Sequence, residues 1–155
     1  LIEKLESLNI HFTIHYHPPL RTVAESKLYR HNMPGTHVKN LYLRDKKKCN
    51  YLIVAEEDHI INLKSLHTII GSDRLSFGSA DRLFEMLGVR PGAVSPFTMI
   101  NDPEHRVRVS IDAKLMTAER LYFHPLVNDI TLGVAPDGLS SFLLDTGHEL
   151  QLINF

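Results

Sequence analysis

The chain has 155 residues, of which 43% are hydrophobic, and a formal net charge of -1. This length and hydrophobic content predict a single domain, residues 1–155, with one sizeable core. The near-zero net charge excludes a strongly cationic protein that binds nucleic acid through bulk charge, so any polynucleotide contact must come from a local basic patch.

Local patterns near the start of the chain predict a helix, a strand and a second helix. Apolar residues recur at helical spacing through residues 1–9 and predict an amphipathic helix. Residues 10–16 alternate between apolar and polar types, which predicts a strand. Thr22 and Glu25 have the spacing of a capping box, so a short helix should begin there and end near His31. The predicted apolar face of the strand comprises Ile10, Phe12, Ile14 and Tyr16.

A β-hairpin is predicted in the next segment. Residues 38–44 and 51–55 have strand character and flank the polar turn 45–50. The second of these strands is apolar on both faces, which predicts a central position in the sheet.

The rest of the chain predicts an α+β fold. Helices are predicted from Asn62 to Gly71 and from Ser79 to Gly88, and a last helix covers residues 136–147. Strands are predicted at residues 74–77, 97–100, 107–111, 120–123, 130–134 and 149–153. The runs of strands favour a mixed, mostly antiparallel sheet flanked by helices over a doubly wound fold.

The sequence has no signal for a membrane or for secretion. No stretch approaches the roughly 20 apolar residues that span a bilayer, and the N-terminus lacks the pattern of a secretion signal. Cys49 is the single cysteine and has no intrachain partner, which fits a reducing compartment. We therefore expect a cytoplasmic protein with no membrane contact. Because the chain begins at Leu1 rather than at methionine, we expect a few residues to precede it.

The usual motifs of nucleophilic, nucleotide-binding and zinc-dependent enzymes are missing from the sequence. His15 and His17 would share one face of a strand, but no third ligand lies at metal-site spacing. We therefore predict no metal and no cofactor. Cys49 is a conceivable nucleophile, yet a hairpin tip offers neither a pocket nor an orienting base.

Lys39 is the most informative residue of the sequence. Side-chain alternation places it on the same strand face as Leu41 and Leu43, which should pack inward. A lysine aimed at the interior must be paired, snorkelling or lining a cavity; the alternative is a strand-end lysine that reaches solvent. Residues 46–48 are lysines in the turn, where a solvated charge run is expected and a phosphate backbone is the most they would contact.

Two further segments have the character of a binding site. The loop from Gly92 to Pro96 contains small residues, so it can present backbone amides to an anionic intermediate, or it can simply connect two elements. His124 and Asn128 lie between two predicted strands, a place where polar side chains often belong to sites. A histidine before a proline can equally be a turn residue that binds a backbone carbonyl.

In combination these segments resemble a known family. The matching motifs are His17-Pro18-Pro19 with Thr22 to Ser26, Val38 to Lys47, Gly92 to Phe97, and His124-Pro125-Leu126 with Asn128. In this order they resemble the YbaK and prolyl-tRNA synthetase-associated domain family of aminoacyl-tRNA deacylases, and most of all its free-standing alanyl-tRNA(Pro) deacylase branch. The resemblance implies hydrolysis of the ester that joins a mischarged amino acid to the terminal ribose of tRNA.

The resemblance also implies roles for individual residues. Lys39 matches the essential lysine of the family, Gly92 and Pro96 match its G-x-x-x-P loop, and His124 matches a histidine of its pocket. The predicted catalytic residues are therefore Lys39, Gly92 and His124. The predicted substrate-binding residues are Thr22, Asn40, Ala93, Ser95, Pro96 and Asn128. The predicted contacts to the tRNA backbone are Arg44, Lys46, Lys47 and Lys48.

The implied chemistry uses a positioned water rather than a protein nucleophile. Lys39 would bind the phosphate or ester end of the acceptor. The loop amides near Gly92 would hold the developing oxyanion, and His124 would fix the loop or the substrate amine. On the family resemblance, a hydroxyl of the substrate ribose can serve as the general base.

The implied substrate is mischarged tRNA(Pro), with alanine as the first expectation. A synthetase pocket made for proline cannot strongly reject a smaller side chain, whereas a second, tighter pocket can reject proline. Leu20, Arg21 and Thr22 are expected to form the wall of that pocket. Alternatives are cysteinyl or other small-residue specificity, and a non-catalytic tRNA-binding module, which the neutral net charge disfavours. Candidate protein partners are prolyl-tRNA synthetase and an elongation factor.

Overall fold

The structure is a computed structural model that describes residues 1–20, 22–30 and 33–155. The α-helices are α1 (Ile2–Ser7), α2 (Val23–Lys27), α3 (Leu63–Ile70), α4 (Ala80–Leu87) and α5 (Pro136–Thr146), and 3-10 helices span Pro96–Asn101 and Ala113–Thr117. The strands are β1 (Phe12–Tyr16), β2 (Thr36–Asp45), β3 (Asn50–Glu56), β4 (Leu75–Phe77), β5 (Val107–Asp112), β6 (Leu121–Phe123), β7 (Ile130–Val134) and β8 (Leu150–Ile153). Within the described ranges, no helix is long and apolar enough to cross a membrane.

The strands form one mixed sheet. Its order is β1-β7-β6-β2-β3-β5-β8, and β4 pairs with β2 beside this path. The antiparallel pairs are β1 with β7, β2 with β3, β2 with β4, and β6 with β7. The parallel pairs are β2 with β6, β3 with β5, and β5 with β8. The predicted α+β class and the mixed, mostly antiparallel sheet are therefore confirmed.

Capping residues that the sequence indicates set the helix boundaries. The hydroxyl of Thr22 accepts a hydrogen bond of 3.1 Å from a backbone amide in the first turn of α2. Asn62 and Ser79 cap α3 and α4 in the same way, with distances of 3.0 and 3.1 Å. Both helices end at a glycine in the left-handed conformation, Gly71 and Gly88. The predicted starts of these helices are therefore confirmed.

Two apolar clusters pack on opposite faces of the central strands. Leu52 and Val54 of β3 belong to the larger cluster, together with buried aromatic rings such as Phe97. Ile53 of β3 and Leu43 of β2 belong to the other cluster, against α3. Because β3 is buried on both faces, the predicted central position of this strand is confirmed.

The structure corrects two predicted elements. Residues 97–100 belong to the 3-10 helix Pro96–Asn101 instead of a strand, because the Ser95 side chain caps its start and a proline fixes its first turn. A short apolar run without alternation does not distinguish these two structures by sequence. The second helix ends at Lys27, earlier than predicted, and its predicted end at His31 lies outside the described residues.

The predicted apolar face of β1 is only partly buried. Ile14 is 39% exposed and Tyr16 is 75% exposed, because β1 is an edge strand whose last residues lie beyond the core. On the opposite face, the ring of His15 meets the ring of Tyr122 edge-on at 5.9 Å. The polar face of β1 therefore lies on the same side of the sheet as the ring of Tyr122.

The long strand β2 changes its partner along one edge. Thr36 and His37 pair with β6, whereas residues 43–45 pair with β4. In the part of the chain that the structure describes, no strand pairs with residues 38–41 on this edge. The sheet is thus interrupted at the segment that contains Lys39.

Candidate active site

A cleft of about 220 Å³ lies beside this interruption of the sheet. It is lined by Leu20, Thr22, Ser26, Arg30, Val38, Lys39, Asn40, Gly92, Val94 and His124. These residues come from the start of α2, from β2, from the loop before the first 3-10 helix and from the turn after β6. The fold therefore brings Lys39, Gly92 and His124, which are far apart in the sequence, to one small space.

The ammonium group of Lys39 is anchored by the backbone. It donates a hydrogen bond to the carbonyl oxygen of His59, in the segment that follows β3. The side chain is half-buried and lies on the strand face of Leu41 and Leu43, as the alternation predicts. Because an ammonium group has three donors, two remain for oxygen atoms of a ligand.

One hydrogen bond fixes the tautomer of His124. Its Nδ1 lies 2.9 Å from the carbonyl oxygen of Ile130, so Nδ1 carries the proton and donates it. In the neutral ring, Nε2 is then an acceptor. Burial lowers the pKa of His124 below its ordinary value of 6.5, which favours this neutral form at pH 7.

A second histidine packs against His124. The rings of His17 and His124 meet edge-on, with their centroids 5.9 Å apart. Nδ1 of His17 donates to the carbonyl of Pro18 at 2.9 Å, and its Nε2 accepts from the hydroxyl of Thr131 at 2.7 Å. The His-Pro-Pro turn is thereby held against the turn after β6.

The loop from Gly92 to Pro96 presents some of its residues to the cleft and buries the others. Gly92 and Val94 line the cleft, and the left-handed φ of 94° at Gly92 is one that glycine adopts readily. The amide of Ala93 is bound to the carbonyl of Arg90 at 3.1 Å. Ser95 is fully buried behind the cleft surface. Gly92 and Val94 are therefore the residues of this loop that line the cleft.

Asn128 and Ala93 line a neighbouring hollow of about 390 Å³ instead of the cleft. The side-chain amide of Asn128 donates to the backbone carbonyl of Leu20 at 3.1 Å, and the backbone carbonyl of Asn128 accepts from the backbone amide of Leu20 at 3.0 Å. Leu20 does line the cleft. Asn128 therefore holds Leu20, a residue of the cleft wall, in place and does not itself line the cleft.

The remaining predicted residues are those of the pocket wall and two substrate-binding residues, Asn40 and Pro96. Thr22 and Leu20 line the cleft, and Arg21 lies outside the described residues. Asn40 lines the cleft, and its Oδ1 is buried with no hydrogen-bond partner among the described residues. Pro96 is buried in the first turn of the 3-10 helix and does not line the cleft.

Sequence reasoning missed Arg30. Its two terminal guanidinium nitrogens donate to the two carboxylate oxygens of Glu57, and its side chain lines the cleft. Thr22, Ser26 and Arg30 are spaced by four residues in the predicted helix, which is the spacing of one helix face. That spacing was the signal that could have identified Ser26 and Arg30.

The predicted contacts to the tRNA backbone lie away from the cleft. At about 3.3 Å per residue, the far end of β2 is roughly 20 Å from Lys39. Lys46, Lys47 and Lys48 are exposed in the turn beyond that end, and Arg44 is half-buried beside it. Their role stays a prediction, and it requires a ligand long enough to reach both places.

Acidic residues near the cleft are explained by ion pairs. Glu56, Glu57 and Asp58 lie close enough together to be considered as metal ligands. Glu57 is paired with Arg30, and Asp58 lies 3.1 Å from the ammonium of Lys27. This cluster is therefore no argument for a metal ion.

Comparisons with known proteins agree on one family. The family model described as an aminoacyl-tRNA editing domain matches residues 17–142. The prolyl-tRNA editing protein ProX of Acetoanaerobium sticklandii is 37% identical over 154 residues, which cover 99% of this chain and 94% of that protein. The prolyl-tRNA synthetase associated domain-containing protein 1 of Mus musculus is 33% identical, over 100% of this chain and 94% of its own.

A solved structure supports the fold. The crystal structure of the hypothetical protein APE2540 superposes with a TM-score of 0.76 over 98% of this chain and 97% of its own. Its sequence is 21% identical. At this identity the likeness concerns the fold.

Proposed function

Because the chain belongs to the family of aminoacyl-tRNA editing domains, we propose that it hydrolyses mischarged tRNA(Pro), with alanine as the preferred amino acid. Membership of this family makes the chain an aminoacyl-tRNA deacylase. The observation that carries the proposal is the convergence of Lys39, Gly92 and His124 on one small cleft. The name of the Acetoanaerobium relative supports tRNA(Pro) as the substrate.

The residues of the cleft suit the hydrolysis of an activated ester. Lys39 keeps two donors for the ester or phosphate end of the acceptor. Gly92 and Val94 line the cleft, and their amides would stabilise the oxyanion that forms when water adds to the carbonyl. Nε2 of neutral His124 can accept a hydrogen bond from the substrate amine. An aminoacyl ester is already reactive, so a positioned water suffices as nucleophile.

Size is the proposed basis of selection. A space of about 220 Å³ accepts a small side chain together with the end of a ribose, and it is walled by apolar residues such as Leu20, Val38 and Val94. A proline pocket in a synthetase discriminates poorly against a smaller side chain, whereas a tight second pocket excludes the larger one. The cleft would therefore remove alanine and spare proline.

The partner in this reaction is the mischarged tRNA(Pro) itself. The name of the mouse relative associates that protein with prolyl-tRNA synthetase. Because editing acts on the product of the synthetase, we propose that synthetase and deacylase meet the same tRNA in turn.

The test is a deacylation assay on tRNA(Pro) charged with alanine, cysteine, serine or proline. We expect alanyl-tRNA(Pro) to be hydrolysed fastest and prolyl-tRNA(Pro) to be spared. Lys39→Ala should lower the rate by about 100-fold or more. Lys114→Ala is the matched control, because Lys114 is an exposed lysine outside the cleft. A parent protein that hydrolyses none of the four substrates would instead favour a non-catalytic tRNA-binding module.

A further inference from the structure

A second, smaller hollow of about 50 Å³ adjoins the cleft. Arg30, Asn40 and His124 line both spaces, so the hollow and the cleft are neighbours. His37 and Tyr122 line the hollow but not the cleft, so they belong to its far wall. Since one water needs roughly 10–15 Å³ of such space, the hollow has room for water but not for an amino acid.

Two polar atoms in the lining residues are buried and unpaired. Nε of Arg30 is a donor and Oδ1 of Asn40 is an acceptor, and neither has a hydrogen-bond partner in the described ranges of the chain. Buried polar groups in proteins are nearly always hydrogen-bonded, either to the protein or to ordered water. Both residues line the hollow, and a buried donor and a buried acceptor that share one small polar space can be bridged by a water molecule.

The surrounding bonds hold this arrangement in place. Because Glu57 binds one N–H of each terminal nitrogen of Arg30, the plane of the guanidinium group is fixed. Of the donors that remain, Nε–H is the one that is buried without a partner among the described residues. The hydroxyl of Tyr122 donates to the carbonyl of Pro34 at 2.6 Å. Its ring stacks on His37 with the centroids 4.7 Å apart. The Tyr122 hydroxyl is therefore already bound to Pro34, and its ring is packed against His37.

We infer that this hollow holds the water that attacks the ester, positioned by Arg30 and Asn40. The inference rests on the proposed function. Nε–H of Arg30 donates to the water oxygen, and one water hydrogen binds Oδ1 of Asn40, which leaves a lone pair of the oxygen for the ester. The water oxygen forms a bond to the ester carbon, and the bond from that carbon to the ribose oxygen breaks. The ribose oxygen takes the proton that the water gives up, so the products are the free amino acid and uncharged tRNA.

This assignment differs measurably from one in which the hollow binds part of the substrate. A residue that positions the nucleophile affects the chemical step, whereas a residue that binds the substrate affects KM. Asn40→Leu has nearly the same shape but lacks the acceptor oxygen. Arg30→Lys keeps a positive charge for Glu57 but lacks the Nε donor. The matched control is Arg82→Lys, since Arg82 forms a surface ion pair with Glu85 outside both spaces.

The experiment measures kcat and KM of each variant on alanyl-tRNA(Pro). We expect Asn40→Leu and Arg30→Lys each to lower kcat by about tenfold or more with KM within about twofold, and the control to match the parent. A crystal structure of the parent should show one water within hydrogen-bonding distance of Arg30 Nε and Asn40 Oδ1, and that water should be missing from Asn40→Leu.

Specific results would overturn the inference. An unchanged kcat in both variants, a raised KM with unchanged kcat, or a parent crystal structure without the bridging water would each exclude it while the proposed function stands. A parent protein without deacylase activity would instead remove the proposed function. If Asn40→Leu does not fold, as judged by circular dichroism, Arg30→Lys and Asn40→Ser decide the question by the same measurements.

Discussion

The hydroxyl of Ser95 donates a hydrogen bond of 2.7 Å to the backbone carbonyl of His124. The same hydroxyl accepts a bond of 3.2 Å from the amide of Phe97, which caps the 3-10 helix. One buried side chain therefore joins the loop that begins at Gly92 to the turn that contains the histidine of the cleft. The sequence predicts both segments as parts of a site, and this bond sets their relative position.

Replacing Ser95 tests this coupling. Ser95→Ala leaves the carbonyl of His124 and the amide of Phe97 unpaired in a buried place, so we expect a loss of about 1–3 kcal/mol in the free energy of unfolding. The deacylation rate should also fall, because the loop and His124 lose their common anchor. Urea denaturation and the alanyl-tRNA(Pro) assay measure the two effects. Ser7→Ala is the control, because the Ser7 hydroxyl makes an exposed bond to a backbone carbonyl. Equal stabilities of the two variants would contradict the prediction.

The elements of this fold could be predicted from local signals, but their assembly could not. Caps such as Thr22 and Asn62 act within a few residues, so sequence identifies them. The interruption of the sheet at Lys39 depends on which strands pair with the two ends of β2, and this is a long-range property.

The contacts within the site also depend on long-range packing that the sequence does not reveal. The Arg30 and Glu57 pair joins residues that are 27 positions apart, and neither belongs to a recognised motif. Ser95 was predicted to bind substrate, whereas its buried hydroxyl is used within the protein. Residue type and spacing thus indicate that a position matters, and the packing decides how.

Three histidines make stability depend on pH. Burial is the largest cause that lowers the pKa of His15, His37 and His124 below their ordinary value of 6.5. The unfolded chain then binds more protons than the folded chain as the pH falls from 6.5 toward the lowered values. We therefore expect the free energy of unfolding to be greatest above pH 6.5 and to decline below it.

The measurement is urea denaturation at pH values on both sides of 6.5. His124→Gln removes one of the three groups, so its unfolding free energy should depend less steeply on pH in this range. A free energy that stays constant or rises on acidification would show that these histidines are not held neutral in the folded state.

Asp102 and His148 form a buried pair beyond the end of α5. Nε2 of His148 donates to Oδ2 of Asp102 at 2.9 Å, and the amides of Arg106 and Val107 donate to the same carboxylate at 2.9 Å each. Burial alone would raise the pKa of Asp102, but these hydrogen bonds outweigh it and hold the pKa below the ordinary 3.8. The ionised carboxylate is thus the form that the fold stabilises.

Asp102→Ala should destabilise the protein by about 3 kcal/mol, because it leaves an imidazole and two amides without their acceptor. The control is Asp145→Ala, which breaks the partly exposed pair with Lys4 and should cost less than about 1 kcal/mol. The contribution of Asp102 is complete above pH 3.8 and is lost as the pH falls through its lowered folded value. Acid unfolding should therefore be less steep in Asp102→Ala than in the parent, and identical acid transitions would contradict this.

The lysines of the β2–β3 turn have two possible interpretations, a solvated charge run or contacts to the tRNA backbone. Lys46, Lys47 and Lys48 are exposed and lie roughly 20 Å or more from Lys39 along the strand. A solvated charge run would have no effect on a substrate bound in the cleft. An acceptor stem is long enough to span this distance, so in the proposed complex the turn meets the tRNA backbone.

The combined variant Lys46→Ala, Lys47→Ala, Lys48→Ala decides between them. We expect KM for alanyl-tRNA(Pro) to rise by about tenfold with kcat unchanged, because phosphate contacts contribute to binding and not to the ester chemistry. The salt dependence is the sharper measure, since each lost phosphate contact should reduce the slope of log affinity against log salt by about 0.7–0.9. Lys114→Ala, an exposed lysine on another part of the surface, should leave both quantities at parent values. If the triple variant also retains the parent slope, the turn is a solvated charge run and the tRNA approaches the cleft from another side.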